Sequence, residues 1–225
     1  MKLPFTVDQF TAVLQNYNLS VWPMQIVLYA IAAAILLLLA VKSPLASRAI
    51  SCCLAVLWAW TGIVYHCIFF TAINPAARLF GILCIVQALL FLVFGGIGSA
   101  IRFHPATANR STITGGVLLL YALVLYPLLG MFFGHHYPQT PTFGLPCPTT
   151  IFTAGLLFLA FPSTGWFMGI IPVLWAIVGG SAAFKLGIYQ DYGLIVSGIL
   201  LAVLLFKPTT AKNSAPITIT AKAYR

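Results

Sequence analysis

The chain has 225 residues, of which 61% are hydrophobic and only 6% charged, with a formal net charge of +9. Soluble domains carry about 25% charged residues, so this composition, at a mean hydropathy of +1.04, excludes one. It predicts an all-α polytopic transmembrane bundle. A helix needs about 20 mostly apolar residues to cross the hydrocarbon core.

At the start, Thr6 with Gln9 three residues on forms a capping-box pattern, and Phe10, Val13, Leu14 and Tyr17 fall on one stripe of a short amphipathic helix. This helix is expected to lie flat on the outer surface as an anchor, the alternative being a lid over an outer cavity. Trp22 and Pro23 mark the turn into the membrane. Asn18-Leu19-Ser20 matches a glycosylation sequon. No basic leader with a short apolar core is present, so the N-terminus is expected to be retained.

Apolar runs between turn and charge signals predict spans near 23–41, 49–70, 77–98, 113–133, 149–161, 166–184 and 192–206, seven in one bundle covering 1–206. The segment 207–225 is basic, lacks an amphipathic stripe and is expected to be a disordered cytoplasmic tail. Seven crossings put Lys42, Arg48, Arg102, Arg110, Lys207, Lys212, Lys222 and Arg225 on one side, and Lys2, Arg78 and Lys185 on the other. By the positive-inside rule the N-terminus lies outside and the C-terminus inside, with Asp8 and Asp191 on the outer side. The positive charge then reports topology and contact with membrane lipid, not nucleic-acid binding.

The second span delivers Tyr65, His66 and Cys67 to the outer end. At helical spacing His66 shares a face with Ala59, Gly62, Ile63 and Phe70, and the small residues let another helix approach, so His66 is expected to point into the bundle. An imidazole inside a span is a functional candidate by default, its bland alternative being a ring bonded to a Tyr hydroxyl or a backbone carbonyl. In the third span Gln87 and Cys84 share a face, with Gln87 read as interhelical glue. The fourth span carries Tyr126-Pro127, a kink signal, and Gly130 and Gly134 at small-residue spacing, then His135 and His136. Adjacent histidines diverge by about 100° on a helix, so one is a candidate ligand and the other solvated.

The fifth span, Thr149 to Phe161, has about 13 residues, roughly 20 Å against a core of about 30 Å. Part of the preceding loop, with Pro138, Pro141, Pro146 and Pro148, must therefore dip into the membrane, lining a cavity or buried in protein. Cys147 sits at the start of this helix, as a thiolate or soft-metal ligand, beside an anion site, or as an inert thiol in a stiff turn. Thr149, Thr150 and Thr153 extend the polar face inward. Arg78, Lys185 and Asp191 are read chiefly as ion-pairing partners at helix ends. The ligand-binding candidates are thus Tyr65, Asn74, Arg78, Tyr126, Thr149, Thr150 and Asp191, and the metal candidates His66, His135, His136 and Cys147.

Lys2-Leu3-Pro4-Phe5, the run from Tyr65-His66 through Phe69-Phe70 to Ile73-Asn74-Pro75-Ala76-Ala77, the stretch from Tyr126-Pro127 to Gly144-Leu145-Pro146-Cys147-Pro148-Thr149-Thr150, and Gly179-Gly180-Ser181-Ala182-Ala183 together carry a resemblance. The chain resembles a bacterial multi-pass family known as domain of unknown function 6064. The resemblance implies a bacterial inner-membrane location and no established activity, and implies no essential role for Lys185, where the family tends to be apolar.

Three functions fit these features. The first is a carrier or channel for a small solute or a soft metal, with His66, Cys67, Met131, His135, His136 and Cys147 as donors suited to Zn or Cu(I). The second is a membrane-embedded metal hydrolase, faintly suggested by the Gly62 to His66 spacing, although Gly62 occupies the position where ceramidase-like enzymes have Ser. The third is a non-catalytic membrane subunit or assembly factor that docks through the polar loop.

Overall fold

A computed structural model describes residues 4–103, 109–160 and 165–206, and among these no β-strand forms. Lys2, Phe161 and the basic segment 207–225 lie outside the described residues. The helices are α1 (Val7–Ser20), α2 (Met24–Leu39), α3 (Pro44–Ala72), α4 (Ala77–Ile97), α5 (Arg110–Phe132), α6 (Pro146–Ala160) and α7 (Trp166–Leu186). A 3-10 turn, Tyr189–Asp191, leads into α8 (Tyr192–Leu205).

Every predicted apolar run is therefore helical, but length separates them. Helices α3, α4, α5 and α7 are long and apolar enough to cross a membrane, and the α1–α2 pair, bent by 83°, makes a fifth candidate if counted as one span. The seven spans of the sequence reading, the fifth already short, reduce to four or five by this measure, because α2, α6 and α8 have 16, 15 and 14 residues. Outward faces carry exposed Leu37, Leu45, Ile82, Ile97, Val117, Ile177 and Ile199, a surface that suits lipid and that soluble monomers rarely present.

The short helix α6 is the centre of the fold. It packs against α3, α5, α7 and α8, and every one of its residues except the partly exposed Cys147 is buried. A helix sheathed by protein need not match the bilayer's thickness, which explains how this one stays short. Two glycine pairs set the closest helix approaches. A Cβ on Gly115 would lie 2.7 Å from the Gly155 carbonyl oxygen, joining α5 to α6, and one on Gly62 would lie 2.8 Å from that of Gly81, joining α3 to α4. Gly134, expected to mediate packing, has open space around it and instead ends α5 with φ +87°.

Winding also departs from the ideal helix. Residues Thr61–Phe69 of α3, Phe91–Ile97 of α4 and Tyr121–Leu125 of α5 are π-helical, the last just ahead of Pro127. Wider turns rotate the following residues, so Ile63 faces outward at 50% exposure while Gly62 and His66 stay buried.

The capping box of α1 forms as expected, the Gln9 amide donating to Thr6 Oγ1 at 3.2 Å and the Thr6 amide to Gln9 Oε1 at 2.9 Å. Its apolar stripe, however, packs on protein. Val13, Leu14 and Tyr17 are buried in a cluster with Phe5, Tyr65 and Phe70. The sequon asparagine is likewise buried. Asn18 Nδ2 donates to the carbonyls of Pro138 and Thr140 at 2.7 and 2.8 Å, and its Oδ1 accepts from Thr142 Oγ1 at 2.8 Å. With its amide fully used as a clamp between α1 and the 134–145 loop, Asn18 is no acceptor for a glycan.

Candidate functional site

At the end of the bundle where α1, the 134–145 loop and the α7–α8 turn meet, a cavity of about 410 Å³ opens. Its position follows from local structure. The capped helix α1 contributes Phe5 from its leader and Phe10 and Leu14 from its stripe, and so roofs the cavity. The loop enters the bundle as irregular backbone, as the short fifth helix requires. Phe143 and Leu145 are buried, and the Gly144 carbonyl accepts from Thr61 Oγ1 at 2.9 Å. Only glycine suits position 144, because φ is +96° and a Cβ would come within 2.4 Å of Leu28. The loop then delivers Pro146 and Cys147 to the wall.

Aromatic rings dominate that wall: Tyr65 and Phe70 from α3, Phe80 from α4 and Trp175 from α7. Asn74 lines it too and opens α4, its Oδ1 accepting from the Ala76 amide at 3.1 Å. The charged contributions are Asp191 and Lys185. Asp191 is only 6% exposed, and its Oδ1 accepts from the Tyr126 hydroxyl at 2.5 Å. The Cys147 thiol lies beside the same carboxyl. On its turn outside α8, Asp191 is pushed up to about 6, chiefly because burial disfavours the charged form, with partial relief from Tyr126 and Cys147. The titratable groups facing it are Tyr126, Tyr121, Tyr65 and Cys147.

His66 points into the bundle as expected, but its ring is not bonded to a Tyr hydroxyl or a backbone carbonyl. It is fully buried, and among the described residues neither ring nitrogen has a hydrogen-bond partner. Instead the imidazole packs edge-on against Tyr65, Phe70, Phe80 and Trp175 at ring separations of 5.1, 5.9, 5.8 and 5.0 Å. Those four residues all line the cavity, which puts His66 directly behind its wall.

Of the ligand-binding candidates, Tyr65, Asn74 and Asp191 line the cavity, and Tyr126 holds Asp191 from behind. Thr149 and Thr150 are buried away from the lining with unpartnered hydroxyls among the described residues, while Thr153 accepts from Trp58 Nε1 at 3.0 Å. Arg78 is exposed and outside the lining, whereas Lys185 lines the cavity with Asp191. Of the metal candidates, His135 is half-buried near Gln190, where burial pushes its imidazole down from its ordinary value, and His136 is exposed. Among the described residues no group of three or more His, Cys, Asp and Glu side chains comes together. Gln87 does act as glue, its Nε2 donating to the Met168 carbonyl at 3.1 Å.

Sequence reasoning missed Trp175, Phe80 and the roof from Phe5. The available signal was Trp175 itself, an indole in mid-helix that needs a partner for its N–H. Its Nε1 is buried beside the Cys147 thiol.

No curated protein and no solved structure matches the chain. The model of a family of unknown function, DUF6064, matches residues 7–215. With that extent of its length matched, the chain belongs to the family of unknown function DUF6064.

Proposed function

We propose that this is a multi-pass protein of the bacterial inner membrane that binds a small solute in the cavity, as the binding step of a carrier. In this reading α2 to α8 form one bundle of seven crossings, with the N-terminus and the cavity outside and the C-terminus inside. The charge distribution supports the orientation. Lys42, Arg48, Arg102 and Arg110 all belong to the end opposite the cavity, the end expected to face the cytoplasm. Central burial of α6 supports counting it as a crossing despite its length, because a protein-sheathed helix needs no lipid match.

The observation that carries the solute-binding reading is the cavity of about 410 Å³ with a buried carboxyl in its lining. Concave, mostly apolar spaces of about 300–1,000 Å³ with a few convergent polar groups are the usual form of small-molecule sites. Metal binding drops out of the reading, since the candidate donors are spread between the wall, the buried aromatic nest and the exposed loop.

The test is a thermal-shift panel of small amines, alcohols and carboxylates on the detergent-purified full chain, repeated on Ala182→Trp, which fills the cavity. At least one probe class should raise the melting temperature of the native protein and lose that effect in the filled variant. Equal shifts in both proteins, or none in either, would overturn the reading.

A further inference from the structure

Resting on the cavity reading above, we propose that the cavity takes a small organic cation, an amine or quaternary ammonium with an apolar body. The Asp191 carboxyl is buried, and the groups that hold it, the Tyr126 hydroxyl and the Cys147 thiol, are neutral. A desolvated carboxylate with neutral donors keeps most of its field, and a ligand that brings a positive charge into the cavity complements it. An anion would face that carboxylate at close quarters. An uncharged solute would leave it desolvated and unused.

The rest of the lining has matching chemistry. Phe10, Tyr65, Phe70, Phe80 and Trp175 surround the space with aromatic rings, and ring faces attract cations through their quadrupoles, most strongly where water is excluded. Aromatic cages are a general way of holding quaternary ammonium groups, and here a buried carboxyl adds a negative charge to the lining. Lys185, the cationic member of the described lining, is exposed, whereas Asp191 is buried. The arrangement therefore runs from an exposed positive charge to a buried negative charge. It favours a ligand whose cationic end goes in first.

The probes are choline, its uncharged carbon isostere dimethylbutanol and the corresponding dimethylbutanoate, which share a shape and differ in charge. Binding is measured calorimetrically to the full chain in detergent, with fold checked by gel filtration. Choline should bind at least tenfold tighter than either isostere. Asp191→Asn, which keeps the side chain's shape, should lower choline affinity at least tenfold and leave dimethylbutanol unchanged. Tyr126→Phe keeps the carboxyl and should still bind choline, which covers the case in which the first variant fails to fold. Dimethylbutanoate or dimethylbutanol binding as well as choline, with Ala182→Trp abolishing it, would overturn the cation and leave the cavity standing. No binding by any probe, together with no effect of Ala182→Trp across the wider panel, would overturn both.

Discussion

The two ends of this bundle differ in how completely they satisfy their buried polar groups. At the end away from the cavity, side chains close off backbone groups one for one. Arg48 Nε donates to the Gly96 carbonyl at 2.8 Å, Ser47 Oγ accepts from the Phe103 amide at 3.1 Å, and Ser111 Oγ donates to the Phe158 carbonyl at 2.7 Å. Toward the cavity end, beside the bonded Asn18 clamp and the Tyr126–Asp191 pair, buried atoms of Gln25, His66, Thr149 and Thr150 have no hydrogen-bond partner among the described residues, nor has Gln87 Oε1 further along α4. Buried polar atoms in a folded chain are normally satisfied, so such a concentration marks the end built for something other than stability.

That contrast can be broken from either side. Asn18→Ala should have the largest effect, because it strips partners from two part-buried carbonyls and the Thr142 hydroxyl at once. We expect a loss of about 3 kcal/mol, seen as a lower melting temperature in detergent and faster proteolysis within α1. Asp191→Asn should act in the other direction. Its folded-state value of about 6 lies above the ordinary 3.8, so the native protein holds that proton more tightly than the unfolded chain does. The carboxyl therefore favours folding below about pH 4 and opposes it above about pH 6. At pH 7.5 the asparagine variant should be more stable by about 3 kcal/mol, and this lead should shrink as pH falls through 6 towards 4. A constant gap across that range would show that ionisation is not the cause.

Ser111→Ala at the closed end removes a single side-chain hydrogen bond, with an expected loss of about 1 kcal/mol and no change in solute binding. The smallest effects should come from Arg78→Ala and His136→Ala, both exposed and outside the cavity lining. Each should stay within about 0.5 kcal/mol of the parent. A large loss of solute binding in either variant would move the site away from the cavity.

Composition and apolar runs were enough to place every helix to within a few residues, because burial in lipid demands long, uninterrupted stretches. They did not reveal which helix is central. The interior position of α6 depends on Gly115 meeting Gly155, a pairing between chain segments that no local pattern announces. Within the site, Tyr65, Asn74, Cys147 and Asp191 were legible as polar residues at helix ends in an apolar chain. The roof was legible only in part. The stripe on α1 was visible, yet whether it faces lipid or protein depends on Asn18 gripping Pro138 and Thr140, more than a hundred residues along the chain. His66 was found, but the π-helical winding that turns Ile63 out and leaves the imidazole among aromatic rings has no sequence signature.

The central claim is that solute reaches this cavity from the side opposite the cluster of basic residues. It is tested most directly by placing a cysteine at Ala182, in the cavity lining, after replacing the accessible Cys52, Cys53, Cys67 and Cys147 with alanine. A membrane-impermeant maleimide is then applied to intact cells and to inverted vesicles. Labelling in intact cells alone, slowed by choline, is the predicted result. Labelling in inverted vesicles alone would contradict it.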